Sequence, residues 1–232
     1  MQSTSTWALQ AQTKGQPHMN TTSDKSRALG LVQTALLGAI IFILAFTPSL
    51  GYIPLGVINA TIIHVPVIIG SLVLGPKRGA ILGFLFGLSS MILATTSPAL
   101  TSFIFSPFLS SGITPLGPVW STIICFIPRI LVGVVPYYVY EALKKFFKGK
   151  KGSDATSLLI SGVAGSLTNT LLVMGLIYVL FGHAYADAIG ISYGALFGAI
   201  LSVIAINGVL EAIVAAILSS AIVKALRYVN RR

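Results

Sequence analysis

The sequence has few charged residues and almost no cysteine. Only 9% of its 232 residues are charged, while 55% are hydrophobic and the mean hydropathy is +0.90. A soluble domain carries about 25% charged residues, so this chain cannot cover a surface that faces water. Its one cysteine, Cys125, lies in an apolar run, which excludes an intramolecular disulfide and a multi-cysteine metal site.

The sequence also lacks the alternation of apolar and polar residues that a transmembrane barrel requires. Its apolar residues run in continuous blocks, whereas barrel strands alternate between lipid and lumen. We therefore predict an all-α membrane protein. The excess of 15 Lys and Arg over 5 Asp and Glu would suggest nucleic acid for a soluble protein, but in a membrane protein it reports orientation. We expect no nucleic-acid partner, only the lipid bilayer around the helices.

Six segments are long and apolar enough to be transmembrane helices, which need roughly 20 mainly apolar residues each. They are residues 28–46, 57–75, 78–94, 118–142, 157–181 and 194–226. Residues 1–27 are polar and contain no apolar run long enough for a signal peptide. We interpret them as a disordered leader that resembles a vector-derived segment up to Met19. One transmembrane domain is predicted over residues 28–232.

The basic residues test this count of six spans. Fourteen of them lie before the first span, at the inner end of the sixth span or beyond it, or at the connections after the second and fourth spans: Lys14, Lys25, Arg27, Lys77, Arg78, Lys144, Lys145, Lys148, Lys150, Lys151, Lys224, Arg227, Arg231 and Arg232. The loops on the opposite side contain no Lys or Arg, and the fifteenth basic residue, Arg129, lies inside the fourth span. By the positive-inside rule, both termini of this multi-pass protein of the cell membrane are predicted to be cytoplasmic.

The loop between the third and fourth spans, residues 95–117, is long, uncharged and apolar. It contains three prolines and a mainly apolar run from Phe103 to Leu109. Long loops without regular structure are usually functional or disordered, and this composition does not fit a solvated linker. We expect a lid over an outward-facing pocket. The alternative is a re-entrant or interfacial segment that seals the bundle.

Small residues recur four positions apart on the first and third spans. The third span carries Gly79, Gly83 and Gly87, and the first carries Ala35 and Ala39. Small residues at this spacing allow two helices to approach closely within a membrane. For the third span we predict packing inside the bundle.

A few polar side chains fall inside the predicted spans, where an ionisable group costs about 2.5 to 3.5 kcal/mol and is functional by default. Together with one tryptophan at the outer start of the fourth span, they form the predicted substrate-binding set. These residues are Asn59, His64, Trp120, Arg129, Asn169, Asn207 and Glu211. Asn207 and Glu211 are four residues apart and share a helix face, and Asn169 and Asn207 fall near the same depth.

Each of these residues also has a purely structural interpretation. Asn169 and Asn207 could hydrogen-bond to each other across two helices. Arg129 could satisfy the backbone carbonyl that Pro128 frees, or it could pair with Glu211.

The two aromatic candidates, His64 and Trp120, have structural interpretations as well. His64 precedes Pro66 and could be a buried packing residue. Trp120 could anchor its helix at the membrane interface.

The sequence contains no arrangement of residues suited to catalysis. It has no carboxylate pair within the spans, no glycine-rich phosphate loop and no metal-ligand spacing. We therefore expect a transport subunit rather than an enzyme, with no metal or cofactor bound by this chain. It also lacks the repeated acidic residues of a proton-coupled pump, so energy for uphill transport would come from elsewhere.

Several stretches, in order along the chain, resemble the substrate-binding S components of energy-coupling factor (ECF) transporters. They are residues 54–56, 59–61, 64–70, 74–83 and 128–133, Asn169, Asn207, and Glu211 with Ala212. The similarity extends from the first span to the C-terminus.

The resemblance implies a six-helix subunit that captures a vitamin from outside. In this family the S component associates with a transmembrane scaffold subunit and two cytoplasmic ATPases, which use the ATP. It also implies that the pair Ala35 and Ala39 docks against the coupling helices of the scaffold subunit.

The amino-acid sequence of residues 64–70 is most similar to that of the pantothenate-type members, with a hydroxymethylpyrimidine or pyridoxine type as the alternative. Pantothenate is an anion with hydroxyls and one amide, so Arg129 could neutralise its carboxylate while Asn169 and Asn207 bind its polar middle. A neutral pyrimidine would instead need ring stacking and amide hydrogen bonds.

Two hypotheses come from other classes. A membrane scaffold or assembly protein without a small-molecule site predicts polar groups that pair only with each other and no enclosed cavity. A self-sufficient secondary transporter is disfavoured by the single carboxylate at membrane depth and by the lack of a repeat between the halves.

Overall fold

The computed structural model describes residues 21–47, 51–54, 59–148 and 152–229. The chain divides into two units, residues 1–33 and residues 34–232. In the first unit, residues 21–33 are helical. All packing described below belongs to the second unit.

The described residues form helices and one short ribbon. The ribbon has two antiparallel strands in which Tyr52 pairs with Thr61 and Pro54 with Asn59. In chain order the elements are α1 (Thr21–Phe46), β1 (Tyr52–Pro54), β2 (Asn59–Thr61), α2 (Val65–Leu74), α3 (Pro76–Thr96), a 3-10 turn (Ser102–Ile104), α4 (Pro107–Ser110), α5 (Gly117–Val132), α6 (Val135–Phe146), α7 (Ser153–Ile189), α8 (Tyr193–Val203), a π-helical turn (Ile204–Gly208) and α9 (Val209–Val229).

Five helical stretches in the described part of the chain are long and apolar enough to cross a membrane. They are Ser26–Phe46, Pro76–Thr96, Gly117–Phe146, Ser153–Ile189 and Tyr193–Val229. These stretches correspond to the first, third, fourth, fifth and sixth predicted spans. The prediction of a helical, multi-pass membrane protein is therefore confirmed.

The second predicted span, residues 57–75, is not a single helix. Its described residues, 59–75, comprise β2, a short connection and α2. The ten residues of α2 extend only about 15 Å, half of the hydrocarbon thickness. Pro66 lies in the first turn of α2, and Gly75, at φ 88°, ends it. Residues 65–72 are all buried, so protein rather than lipid surrounds this irregular segment, as backbone at membrane depth requires.

The first helix begins earlier than predicted. Residues 21–27 belong to α1, although their polar composition placed them in the predicted leader. A helix satisfies its own backbone hydrogen bonds in water as well as in lipid, so polarity alone did not mark its start. Residues 1–20 of the predicted leader lie outside the described residues.

The short helix α2 lies at the centre of the largest apolar core. Val67, Ile68 and Leu72 are buried there together with side chains from the surrounding helices. Those side chains are Ile41, Leu82, Phe86, Val132, Tyr140, Leu158, Ala215 and Val223. The helices that contribute these side chains therefore pack around α2.

The glycine stripe of α3 packs against α5 inside the bundle, as predicted. A Cβ atom at Gly83 would collide with the carbonyl oxygen of Arg129, and one at Gly87 would lie 2.8 Å from the carbonyl oxygen of Cys125. The thiol of Cys125 donates a hydrogen bond to the carbonyl of Gly87 at 3.1 Å. This close approach fixes the part of the α5 backbone that carries Arg129.

Candidate functional site

A cavity of about 490 Å³ lies among the ribbon, α3, α5, α7 and the junction of α8 and α9. This volume lies within the range of small-molecule sites. The polar residues that line it are Thr61, Ser90, Ser97, Thr101, Ser102, Arg129, Asn169, Thr170, Asn207 and Glu211. Apolar side chains such as Phe86, Phe105 and Val173 complete the wall, so the cavity could accept a small, partly polar ligand.

Four of the seven predicted substrate-binding residues line this cavity. Arg129 comes from α5, Asn169 from α7, Asn207 from the π-helical turn and Glu211 from α9. The polar groups that the sequence placed inside separate spans therefore meet in one place.

Arg129 is held in a defined orientation beside the cavity. Pro128 has no N–H, so the carbonyl of Ile124 has no helical donor, and Nη1 of Arg129 donates to it at 2.6 Å. The guanidinium carbon lies 4.9 Å from the ring centre of Phe105 and 5.5 Å from that of Phe86, distances at which aromatic rings stabilise a cation. The predicted carbonyl contact is confirmed, and it leaves the cation in the cavity wall.

Glu211 is the acidic residue of the cavity wall, and it is 8% exposed. The backbone N–H of Thr61 donates to its Oε1 at 2.9 Å, and the Thr61 hydroxyl donates to the same oxygen. The hydroxyl of Thr170 lies 3.4 Å from Oε2. The hydrogen bonds that the structure gives this carboxylate therefore come from the ribbon and α7.

Asn169 presents an acceptor to the cavity. Its Oδ1 is buried and has no hydrogen-bond partner among the described residues, so this oxygen does not accept a bond from Asn207. A buried polar atom without a partner is uncommon and needs an explanation. A hydroxyl or N–H of a bound ligand would supply the missing donor.

Asn207 lies in the π-helical turn Ile204–Gly208. Such turns are rare and occur frequently at functional sites, because the wider turn changes the direction of its side chains. Gly208 follows, and a Cβ there would lie 3.1 Å from Thr170 on α7. The apolar sequence around Asn207 contains no signal for this turn.

The loop of residues 95–117 forms part of the cavity wall through Ala99, Thr101, Ser102 and Phe105. It is anchored at several points. The hydroxyl of Ser121 donates to the carbonyl of Phe103 at 2.8 Å, and the hydroxyls of Thr95 and Ser106 are 2.8 Å apart. Phe103 and Ile104 are buried in a second apolar core. The loop thus packs against a pocket, which is the position predicted for a lid.

Two predicted residues lie outside the lining of this cavity. His64 is 1% exposed and precedes α2, next to the main apolar core. Trp120 packs edge-on against Phe181, with ring centres 5.7 Å apart. Neither side chain is among those that line the cavity, so the structure does not bring these two residues together with the other four.

Asn59, Ala35 and Ala39 complete the predicted set. Asn59 belongs to β2 through its backbone, but its side chain lies outside the described part of the chain. Ala35 and Ala39 are exposed on α1, where another protein or lipid can reach them.

Sequence reasoning missed most hydroxyl and aromatic groups of the cavity. Thr61 lies in the family-like stretch 59–61, which was the available signal for it. Phe105 belongs to the apolar run of the loop that was predicted to be a lid, which was the signal for it. Thr170 carried no comparable signal, because Thr is common in apolar spans. In the described ranges, no group of three His, Cys, Asp or Glu side chains is placed to hold a metal ion.

The chain matches a family model across most of its length. Residues 30–223 match the model of the ECF transporter, substrate-specific component. The chain therefore belongs to this family, and the resemblance drawn from its motifs is confirmed. It is a transport subunit, not an enzyme.

The chain is similar to two curated relatives. The pantothenic acid transporter PanT of Lactococcus lactis subsp. cremoris is 40% identical over 169 residues, which are 73% of this chain and 78% of the relative. The pantothenate transporter PanT of Leuconostoc mesenteroides is 32% identical over 199 residues, which are 83% of this chain and 89% of the relative.

Proposed function

We propose that this chain binds pantothenate and serves in its uptake as the S component of an ECF transporter. The observation that carries this proposal is a cavity lined by the oriented Arg129 and by an amide oxygen of Asn169 that has no donor among the described residues. The names of two relatives at 40% and 32% identity support the choice of pantothenate.

The chemistry of pantothenate matches the polar groups of the cavity. Its carboxylate would bind the Arg129 guanidinium, which keeps its charge at every physiological pH. A hydroxyl of pantothenate would donate to Oδ1 of Asn169, and Asn207 would bind the amide. Phe86 and Phe105 exclude water from one side of the arginine, which strengthens its attraction for an anion.

We propose that the chain crosses the membrane six times, with the ribbon and α2 together forming the second crossing. Lys77 and Arg78 lie in the first turn of α3. Apart from Arg129, the other described basic residues that follow α1 lie near the C-terminal ends of α6 and α9. Arg227 of α9 pairs with Asp154 of α7 at 3.1 Å, which places those two ends on one side. The positive-inside rule makes that side, and both termini, cytoplasmic.

We also propose that Ala35 and Ala39 dock on the transmembrane scaffold subunit of an ECF module. Their exposure on α1 supports this contact. The two ATPases of that module would hydrolyse the ATP, while this chain binds no cofactor. Neither Ala35 nor Ala39 lines the cavity. Substitutions there should therefore affect docking on the scaffold subunit without affecting capture of the substrate.

The other functions fit the cavity less well. A scaffold protein without a ligand site predicts no cavity, in contrast to the volume of about 490 Å³. A pyridoxine- or hydroxymethylpyrimidine-binding subunit would not need a buried cation.

Titration calorimetry of the detergent-solubilised protein tests the proposal. Pantothenate should bind, while pyridoxine and hydroxymethylpyrimidine at the same concentration should not. Binding of one of these two competitors without binding of pantothenate would replace the proposed substrate. If none of the three ligands bound the folded protein, the proposed function would be wrong.

A further inference from the structure

The side chain of Glu211 connects two parts of the chain that are 150 residues apart. On one side is α9, which carries Glu211. On the other is Thr61, the last residue of β2, whose N–H and hydroxyl both donate to Oε1. The contact is partly buried, since Glu211 is buried and Thr61 is half-buried, and both residues line the cavity.

The position of Thr61 in the ribbon explains why it needs Glu211. A ribbon of two strands leaves backbone groups along its edges without partners. The next amide, that of Ile62, donates to the carbonyl of Gly51 at 3.0 Å within the same hairpin. The amide of Thr61 instead donates to Glu211. At membrane depth such an amide must find an acceptor within the protein.

The charge of Glu211 also makes it poorly suited to direct contact with an anionic cargo. A carboxylate that faced an anionic cargo directly would repel it, because like charges in a desolvated site cost several kcal/mol. Hydrogen bonds from Thr61 turn this carboxylate toward the ribbon. The Thr170 hydroxyl of α7 lies 3.4 Å from its other oxygen and 3.3 Å from the carbonyl of Ser166, so it shares one proton between them. Charge-assisted hydrogen bonds of this kind are roughly twice as strong as neutral ones.

We infer that Glu211 is a positioning residue and not a ligand of the cargo. Its carboxylate holds the end of β2 in place as one wall of the cavity, and Arg129 remains the cation that meets the cargo. The anionic nature of the cargo rests on the proposed function. The contact between Glu211 and Thr61 is present without any cargo, so it can be tested separately.

The first test is hydrogen exchange of the residue 61 amide in the empty protein, resolved by mass spectrometry of overlapping peptides. Glu211→Gln replaces a charged acceptor by a neutral one, so exchange at this amide should accelerate by about tenfold or more. Glu141→Gln, a neutralised carboxylate that does not line the cavity, should leave it unchanged. Equal exchange in Glu211→Gln and the parent would overturn the inference.

A second pair of variants keeps the test valid if Glu211→Gln does not fold. Thr61→Val removes the hydroxyl bond to Glu211 and keeps the shape of the side chain. Thr61→Ser keeps the hydroxyl. We expect faster exchange at residue 61 in Thr61→Val and parental exchange in Thr61→Ser. The same exchange rate in both variants would overturn the inference.

Binding measurements then separate a positioning role from a simple effect of charge. If Glu211 only added a negative charge near an anionic cargo, Glu211→Gln would bind pantothenate more tightly. A positioning role predicts the opposite, so Glu211→Gln should bind pantothenate more weakly and release it faster. Adding Thr61→Val to Glu211→Gln should weaken binding little further, because both substitutions disrupt the same contact. Tighter binding would overturn the inference. Failure of the parent to bind pantothenate would instead contradict the proposed function, and the exchange result in the empty protein would stand.

Discussion

At the scale of single residues, the cavity depends on how the chain satisfies polar groups inside a membrane. Pro128 removes one helical hydrogen bond, and Arg129 replaces it with a bond to the carbonyl of Ile124 at 2.6 Å. Phe105 and Phe86 lie beside the same guanidinium. One side chain therefore repairs a helix and supplies a cation, so a substitution at Arg129 must affect both.

Arg129→Gln should weaken pantothenate binding by about 2 to 5 kcal/mol, the cost typical of truncating one partner of a desolvated charge pair. It should also lower the melting temperature, because the carbonyl of Ile124 loses its donor. Titration calorimetry and thermal melts of the solubilised protein measure these two effects separately.

Arg129→Lys provides the matched control for this experiment. Lysine keeps the positive charge but loses the planar fork, so its affinity should lie between those of the parent and Arg129→Gln. Parental affinity in a folded Arg129→Gln protein would refute the contact between this arginine and the cargo.

Asn169→Ala should weaken pantothenate binding by about 1 to 3 kcal/mol, the usual cost of leaving a hydrogen-bonding group of the ligand unmatched. The empty protein should keep nearly its parental melting temperature, because Oδ1 of Asn169 has no partner among the described residues. Asn207→Ala should have a comparable effect on affinity. A large fall in melting temperature with unchanged affinity would indicate that Asn169 is structural.

At the scale of helices and strands, the approach of α3 to α5 determines where Arg129 lies. Gly83 faces the backbone of Arg129 so closely that no side chain fits between them. Gly175, in the middle of α7, has open space around its Cβ position. These two glycines provide a matched pair for testing the packing.

Gly83→Ala should destabilise the protein by about 1 to 3 kcal/mol, as overpacking typically does. It should also weaken pantothenate binding, because α5 must move away from α3. Gly175→Ala should be neutral or stabilising by up to about 1 kcal/mol, since alanine favours a helix over glycine. Thermal melts of the two variants, run in parallel, measure the difference. Similar melting temperatures for both would contradict the packing argument.

At the scale of the whole molecule, topology and docking decide how the cavity can be used. We expect both termini to be cytoplasmic, which makes residue 148 cytoplasmic and residue 187 external. A reagent confined to the outside of intact cells should modify Asp187→Cys and leave Lys148→Cys unmodified. The parent is the control, because its Cys125 is fully buried. Modification of Lys148→Cys but not of Asp187→Cys would contradict the proposed orientation and indicate the opposite one.

Ala39→Trp should abolish pantothenate uptake by the full transporter, because a large side chain would hold the partner helices apart. Binding of pantothenate by the isolated subunit should persist, since Ala39 does not line the cavity. Val179→Trp, at a 75% exposed position on α7, is the matched control and should retain uptake. Loss of both activities in Ala39→Trp, or of neither, would contradict the docking assignment.

The sequence by itself determined those features that depend on local composition. Continuous apolar blocks indicated membrane helices, because charged and polar groups are costly in lipid. The same cost marked Arg129, Asn169, Asn207 and Glu211, and all four line the cavity. The repeated glycines of the third span likewise predicted close packing. The family could be recognised from motifs in order along the chain.

Only the tertiary structure decided which distant residues meet. A short buried helix and a ribbon replace the second predicted span, because surrounding protein can cover backbone that lipid would leave unsatisfied. The contact between Thr61 and Glu211 spans 150 residues, and no local pattern predicts it. His64 and Trp120 looked as suitable for a ligand as Arg129 did, yet they pack outside the cavity. Local energetics can identify costly side chains, but their partners depend on how the helices pack together.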